Sequence, residues 1–206
     1  METQVLIIGA GPVGLTLAID LGQQGIRCIL VEKKPAPEFL PKMERCNART
    51  MEIYRRLGIA SRIRRAGLNE NVPMDVFVVT KMTEKPLLQL EYPSVREARE
   101  EIERTEDTSQ PAEPYQLISQ YTLEPVLKSV VETMPSVTVM YGAEFVELAQ
   151  DEAGVNTTVR RTDGETITIR SDYLAGCDGG ASPVRKSLGI SLRGEGNLLQ
   201  LRQALY

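Results

Sequence analysis

The sequence predicts an α/β fold: a parallel sheet, interrupted by a β-hairpin and completed by an antiparallel β-meander. Three observations predict it. An apolar strand, a glycine-rich turn, a helix and a second apolar strand open the chain in the order QVLIIGAGPVGLTLAIDLGQQGIRCILVE. DVFVVTK and PLLQLEY then alternate as two short strands around MTEK. Several short strands with glycine turns between them follow later in the chain and lead to the apolar run DYLAGCDGG.

In the opening unit, Val5 to Ile8 read as a buried strand, and Leu15, Ala18, Ile19 and Leu21 give the following helix an inward face. Cys28 to Val31 read as the next parallel strand. Gly9, Gly11 and Gly14 have the spacing G-x-G-x-x-G at the strand-to-helix turn, a Rossmann-like dinucleotide fingerprint. Gly9 allows the tight turn, Gly11 lets backbone approach a pyrophosphate, and Gly14 lets the helix pack close on its strand. The helix amino terminus offers free N–H groups and partial positive charge to phosphates. Glu32, ending the second strand, stands where a ribose hydroxyl needs a carboxylate acceptor, and a carboxylate there disfavours a 2′-phosphate. Pro12 and Val13 within the turn, and Lys33 beyond the acid, complete this candidate cofactor-binding set.

Pro35, Pro37 and Pro41 keep the next segment extended as a loop. Asn47 caps a helix with Met51, Ile53, Tyr54 and Leu57 as its apolar stripe, and Gly58 stops it. Arg62, Arg64 and Arg65 lie on a second short helix, where they read as a solvated face. The hairpin begins at Pro73. After it, SVREAREEIERTEDTSQPAEP is a short exposed helix or a charged loop, and composition alone leaves both open. TLEPVLKSVVETM reads as a helix with Leu123, Val126, Leu127, Val130 and Val131 inward and Pro125 in its first turn. SVTVMYG, AEFVELAQD, GVNTTVRRT and ETITIRS form the expected meander, with turns at Gly142, 152–154 and 163–164. DYLAGCDGG follows as a separate strand, and Ser182 caps a short helix carrying Val184, Arg185 and Leu188.

Composition narrows the function. The 206 residues are 42% hydrophobic with a net charge of −4, which gives no electrostatic footprint for nucleic acid. No apolar run approaches the ~20 residues of a membrane span. Cys28, Cys46 and Cys177 form no C-x-x-C pair and fit a reducing cytoplasm, and the chain moves into its first strand without a signal peptide. With no histidine, the chain holds no Ser-His-Asp triad, Cys-His dyad or ordinary zinc site. No catalytic side chain and no metal ligand is assigned, so the chemistry falls to a cofactor.

YLAGCDGGASPVRKSLGI presents Asp178 and Gly179 at the carboxyl end of a strand, where open α/β sheets bind ligands. Taken alone, an Asp-Gly there is also a common turn. With the amino-terminal fingerprint, this segment resembles the para-hydroxybenzoate hydroxylase family, the single-component (class A) FAD-dependent aromatic monooxygenases. The resemblance implies a glutathione-reductase-type FAD-binding domain (1–72 and 115–190) and part of a β-rich substrate domain (73–114 and 191–206). It implies that Asp178 and Gly179 lie near the FAD pyrophosphate and are tied to NAD(P)H use. LPKMERCNARTMEIYRRLGI resembles the family segment whose basic residue approaches the flavin. Arg45 is the choice there, because guanidinium suits phosphate and ribityl oxygens, and Lys42 stays open as the alternative. Arg49 is read as pinning the helix. Gln120 matches a family glutamine reaching the flavin's phosphate and ribityl region, and is otherwise an ordinary polar residue at a helix start.

The reaction implied is hydroxylation of a phenolic ring with FAD, NAD(P)H and oxygen, with NADH or NADPH left open. The family's downstream Gly-Asp motif is absent, so the chain reads as the front part of a longer enzyme whose first 206 residues alone do not turn over. The alternatives are a reductase or dehydrogenase of related fold, and a truncated FAD- or ADP-binding module. The expected partners are a small aromatic substrate and oxygen, with self-association through uncovered apolar surface.

Overall fold

Strand β1 (Glu2–Ile8), helix α1 (Pro12–Gln23) and strand β2 (Cys28–Glu32) form the expected opening unit in the computed structural model, which describes residues 1–39, 42–196 and 198–202. Pro41 of the expected loop, and 197 and 203–206 of the expected second domain, lie outside the described residues. The chain continues through β3 (Arg45–Cys46), α2 (Ala48–Arg56), α3 (Ala60–Ala66), β4 (Val76–Val78), β5 (Leu88–Leu90), α4 (Val95–Arg104), β6 (Gln116–Leu117) and α5 (Gln120–Val131). It ends with β7 (Val137–Tyr141), β8 (Ala143–Asp151), β9 (Gly154–Arg161), β10 (Thr166–Gly176) and α6 (Pro183–Ser187).

Six strands form the main sheet in the order β7-β2-β1-β10-β9-β8. β7, β2 and β1 run parallel, and this corrects the expectation that SVTVMYG belongs to the meander. The reason is connectivity. α5 packs beside α1, so the strand after it returns to the sheet by a crossover and enters parallel to β2. A second correction concerns β10. ETITIRS and DYLAGCDGG are one strand of 11 residues, because no turn former separates Ser171 from Asp172. Its first half pairs antiparallel with β9, and its second half runs parallel to β1 up to Ile8 and Gly176. The meander is therefore β8, β9 and the first half of β10.

Successive residues of β1 point to opposite faces, and both faces are covered towards its carboxyl end, which is why Val5 to Ile8 are all apolar. Ile7 packs with Leu30, Leu15 and Ile19, and with Leu123 and Leu127 of α5. Leu6 and Ile8 pack on the other side against Phe145, Val159, Ile169 and Val184. The meander thus folds back over the parallel sheet, opposite the helices.

α2 is capped as expected, with Asn47 Oδ1 accepting from the Thr50 N–H at 2.8 Å. The open reading of the charged segment resolves to both forms: helix α4 over its first half and irregular loop over 105–114. Ser94 and Glu97 form a capping box, and Val95 is buried. α5 starts at Gln120, so Pro125 lies in its second turn rather than its first and withdraws the donor for the Tyr121 carbonyl. The buried stripe of Leu123, Leu127, Val130 and Val131 holds the helix despite that loss.

Arg62 and Arg65 are solvated, but Arg64 is not. Its guanidinium donates to Glu113 Oε2 at 2.7 Å, to the Pro114 and Tyr115 carbonyls and to Gln116 Oε1, fixing β6 beside α3. The β4–β5 hairpin is antiparallel and leaves Val76, Phe77, Val78, Leu88 and Leu90 exposed. A two-stranded hairpin of this kind needs a partner for stability.

Candidate functional site

The carboxyl ends of β1, β2 and β10 meet the amino terminus of α1 around a cleft of about 440 Å³. The turn between β1 and α1 forms its floor, and its three glycines face three different demands. Gly9 has φ +106°, and a Cβ there would lie 2.5 Å from the Cys177 carbonyl oxygen. At Gly14 a Cβ would stand 1.9 Å from the Gly9 carbonyl oxygen, so α1 rests directly on the turn. Gly11 is ordinary extended backbone, and a Cβ there would meet nothing nearer than Glu124 Oε1 at 3.9 Å. A side chain there would enter the open cleft rather than strike the fold. α1 has no side-chain cap and no acid in its first turn, so its leading N–H groups and dipole face the cleft uncompensated.

Glu32 closes one side. Its Oε2 accepts from the Ala10 N–H at 2.9 Å and its Oε1 from the Lys34 N–H at 3.0 Å. Each oxygen keeps a second lone pair, so the carboxylate is oriented and still able to receive hydroxyl donors. Asp178 stands opposite, two residues beyond β10. Its Oδ2 accepts from the Val184 N–H of α6 at 3.0 Å, while Oδ1 is buried with no partner. A buried acceptor left unpaired costs ~1–3 kcal/mol, which a donor from a bound ligand would recover. Gly179 beside it has φ +84° and open space around its Cα.

Gln120 opens α5 and forms the third side. Its Oε1 accepts from the Lys42 N–H at 3.1 Å, and its Nε2 donates to Glu124 Oε1. The structure thus brings Gly9, Gly11, Pro12, Val13 and Glu32 to one cleft. Lys33, Gln120, Asp178 and Gly179 line the same cleft, and Gly14 lies buried beneath it as a spacer. Arg45 is not brought in. Strand alternation in β3 turns Cys46 inward and Arg45 outward, where it pairs with Glu44 at 3.2 Å and meets Met74 Sδ. Lys42, the alternative, lines the cleft.

Glu124, Tyr141 and Lys34 also line the cleft, and the sequence did not single them out. Glu124 is 6% exposed, and burial pushes its carboxyl above the usual range. Tyr141 carries a buried hydroxyl with no partner, and burial pushes its pKa up to about 12. Lys34 pairs with Glu38 on the loop that edges the cleft. Only Glu124 left a signal: an acid between Leu123 and Leu127 on the inward face of its helix, four residues after Gln120.

These groups suit a ligand that joins an anion to hydroxyl-bearing sugars. The unpaired helix amides offer donors to an anion, the oriented Glu32 offers an acceptor to hydroxyls, and the orphaned Asp178 Oδ1 offers an acceptor to a further donor. An FAD-sized dinucleotide fits this donor set. Among the described residues no cluster of His, Cys, Asp or Glu could hold a metal ion, and no helix is long and apolar enough to cross a membrane.

Residues 2–204 match the family profile described as "FAD binding domain". The FAD-dependent monooxygenase apdD of Emericella nidulans is 34% identical over 192 residues, covering 92% of this chain and 31% of that protein. Aklavinone 12-hydroxylase RdmE of Streptomyces purpurascens is 32% identical over 211 residues, covering 100% of this chain and 38% of that protein. Among solved structures, the flavin-dependent monooxygenase PieE in complex with FAD and substrate superposes with a TM-score of 0.84 at 31% identity. That match covers 96% of this chain and 34% of PieE. The chain therefore spans about a third of the length of the relatives it matches.

Proposed function

The chain belongs to the FAD binding domain family, and on that premise we propose that it forms the FAD-binding part of an NAD(P)H-dependent monooxygenase hydroxylating a phenolic or other aromatic ring. The observation that carries this reading is the convergence on one cleft of an uncapped helix terminus, an oriented Glu32 and a buried, unpartnered Asp178 Oδ1.

In this reading Glu32 holds the adenosine ribose, the amides at Gly11 and Val13 hold the pyrophosphate, and Asp178 accepts a ligand donor near that pyrophosphate. Gln120 presents an amide from the α5 side, and Lys42 offers a cation at the lip. FAD, once bound, supplies the redox chemistry with NAD(P)H and oxygen. The chain's own residues bind it, orient it and exclude water from it.

Residues 1–72 and 115–190 make the FAD-binding domain, and 73–114 with 191–206 start a second, substrate-facing domain. The exposed Phe77, Leu88, Leu192 and Leu198 support that division, because apolar side chains at this density call for a cover. Three free cysteines fit a cytoplasmic setting.

The test starts from the protein that carries this sequence. Bound flavin is measured by its absorbance, then NADH or NADPH, oxygen and a panel of phenols and fused aromatic rings are supplied. Stoichiometric FAD and an oxygenated aromatic product are expected. Nucleotide oxidation without such a product would replace the reading with a reductase, and absence of flavin would leave only a truncated module. The 206-residue span alone is expected to hold flavin weakly, to hydroxylate nothing and to self-associate through its uncovered apolar side chains.

A further inference from the structure

Glu124 is an acid where an anion is expected to bind. It sits on α5 between Leu123 and Leu127, both fully buried, and is itself 6% exposed. Its Oε1 lies 3.9 Å from a Cβ built on Gly11, so the carboxyl stands across the gap that a phosphate must enter to reach the α1 amides. Gln120 Nε2 already donates to that oxygen, which leaves Oε2 as the atom able to carry a proton.

We propose that Glu124 binds the dinucleotide in its neutral form, donating its carboxyl proton to a phosphate oxygen, so that cofactor binding takes up one proton. The inference rests on the reading of this cleft as an FAD site. An ionised Glu124 and a phosphate would repel each other across a partly dry gap, whereas the protonated acid turns the same contact into a hydrogen bond.

The surroundings favour the neutral form. Burial is the main cause, and Glu32 at the end of β2 and Glu38 in the following loop add repulsion. The Gln120 amide and the Lys34 ammonium oppose them, and the α1 terminus also favours the charged form. Tyr141 faces Glu124 from β7 and stays neutral, its pKa pushed up to about 12. Lys42 reaches the group only through its backbone N–H on Gln120.

The sign follows directly. A bound phosphate raises the Glu124 pKa further, so between its free and bound values binding draws in a proton, and Kd rises about tenfold for each pH unit climbed. Little else in this chain would mimic that slope. It has no histidine, and burial pushes all three thiols upward.

The experiment is an FAD titration of the protein carrying this sequence, followed by flavin fluorescence from about pH 5 to about pH 8. Calorimetry in two buffers of different ionisation enthalpy counts the protons taken up. At pH values where free Glu124 is ionised, the wild type is expected to weaken with rising pH and to take up about one proton. Glu124→Gln, whose amide imitates the neutral acid, is expected to bind tightly at all these pH values with no uptake. FAD binding with flat affinity and no wild-type uptake would overturn the proposal and leave the site reading standing, as would uptake that persists in the variant. Absence of FAD binding by both proteins at every pH would overturn the site reading and the proposal together. Should the variant misfold, the wild-type proton count decides alone.

Discussion

Gly11 and Gly14 belong to one fingerprint, yet the structure predicts opposite consequences for changing them. Gly11 has extended backbone, and its Cβ direction opens into the cleft with the nearest atom at 3.9 Å. Gly11→Val therefore leaves the fold nearly untouched. Replacing glycine by a poorer helix cap costs about 1 kcal/mol, a Tm loss of about 2–4 °C for a chain this long. The isopropyl group, however, fills the space over the α1 amides. Two charge-assisted hydrogen bonds lost at ~1.5 kcal/mol each make ~3 kcal/mol, or about a hundredfold in Kd. At Gly14 the first added carbon would already lie 1.9 Å from the Gly9 carbonyl oxygen, a backbone atom that cannot rotate away. Gly14→Val must lift α1 from the turn, costing ~3 kcal/mol or more and about 6–12 °C of Tm. Flavin fluorescence titration and thermal melting, run on both variants, separate the two effects. If Gly11→Val binds FAD like its parent, or loses as much Tm as Gly14→Val, the reasoning about this turn is refuted.

Glu32→Ala should weaken FAD about tenfold to a hundredfold, since a charged acceptor of ~1.5–3 kcal/mol is removed; unchanged affinity would take Glu32 out of the site. Asp178→Asn can keep the Val184 N–H bond through its remaining carbonyl while turning the unpartnered Oδ1 into a donor. It should cost about tenfold or more in flavin affinity with Tm nearly constant, and a Tm loss with intact affinity would make Asp178 a turn residue. Arg64→Met leaves Glu113 and two backbone carbonyls without their half-buried guanidinium. A loss of ~3 kcal/mol, read by chemical denaturation, is expected, and a change within ~0.5 kcal/mol would return Arg64 to the solvated face.

Local chemistry made much of this molecule readable. Gly14 against the Gly9 carbonyl and the Asn47 cap each express a constraint settled within a few residues of chain. What escaped depends on long-range pairing. SVTVMYG alternates like a meander strand, and only the crossover through α5 makes it parallel to β2. β10 looks like two strands because its two halves answer to different neighbours, β9 and β1. Arg64 reads as solvated until residues 113–116, some fifty positions away, fold against it. In the site, Arg45 is the stronger phosphate ligand by chemistry, but a two-residue strand turns it outward, and pairing with β6 decides that. Glu124 shows the converse. Its place in a leucine stripe marks it as buried, while its closeness to Gly11 exists only in three dimensions.

On this reading one cleft, built by the ends of β1, β2 and β10 and the start of α1, holds the dinucleotide. A crystal structure of the protein carrying this sequence with FAD tests it most directly. The adenosine ribose is expected on Glu32, the pyrophosphate over Gly11 against the α1 amides, and a ligand donor within hydrogen-bond reach of Asp178 Oδ1. FAD bound elsewhere, or bound in this cleft with the α1 amides and Glu32 untouched, would contradict it.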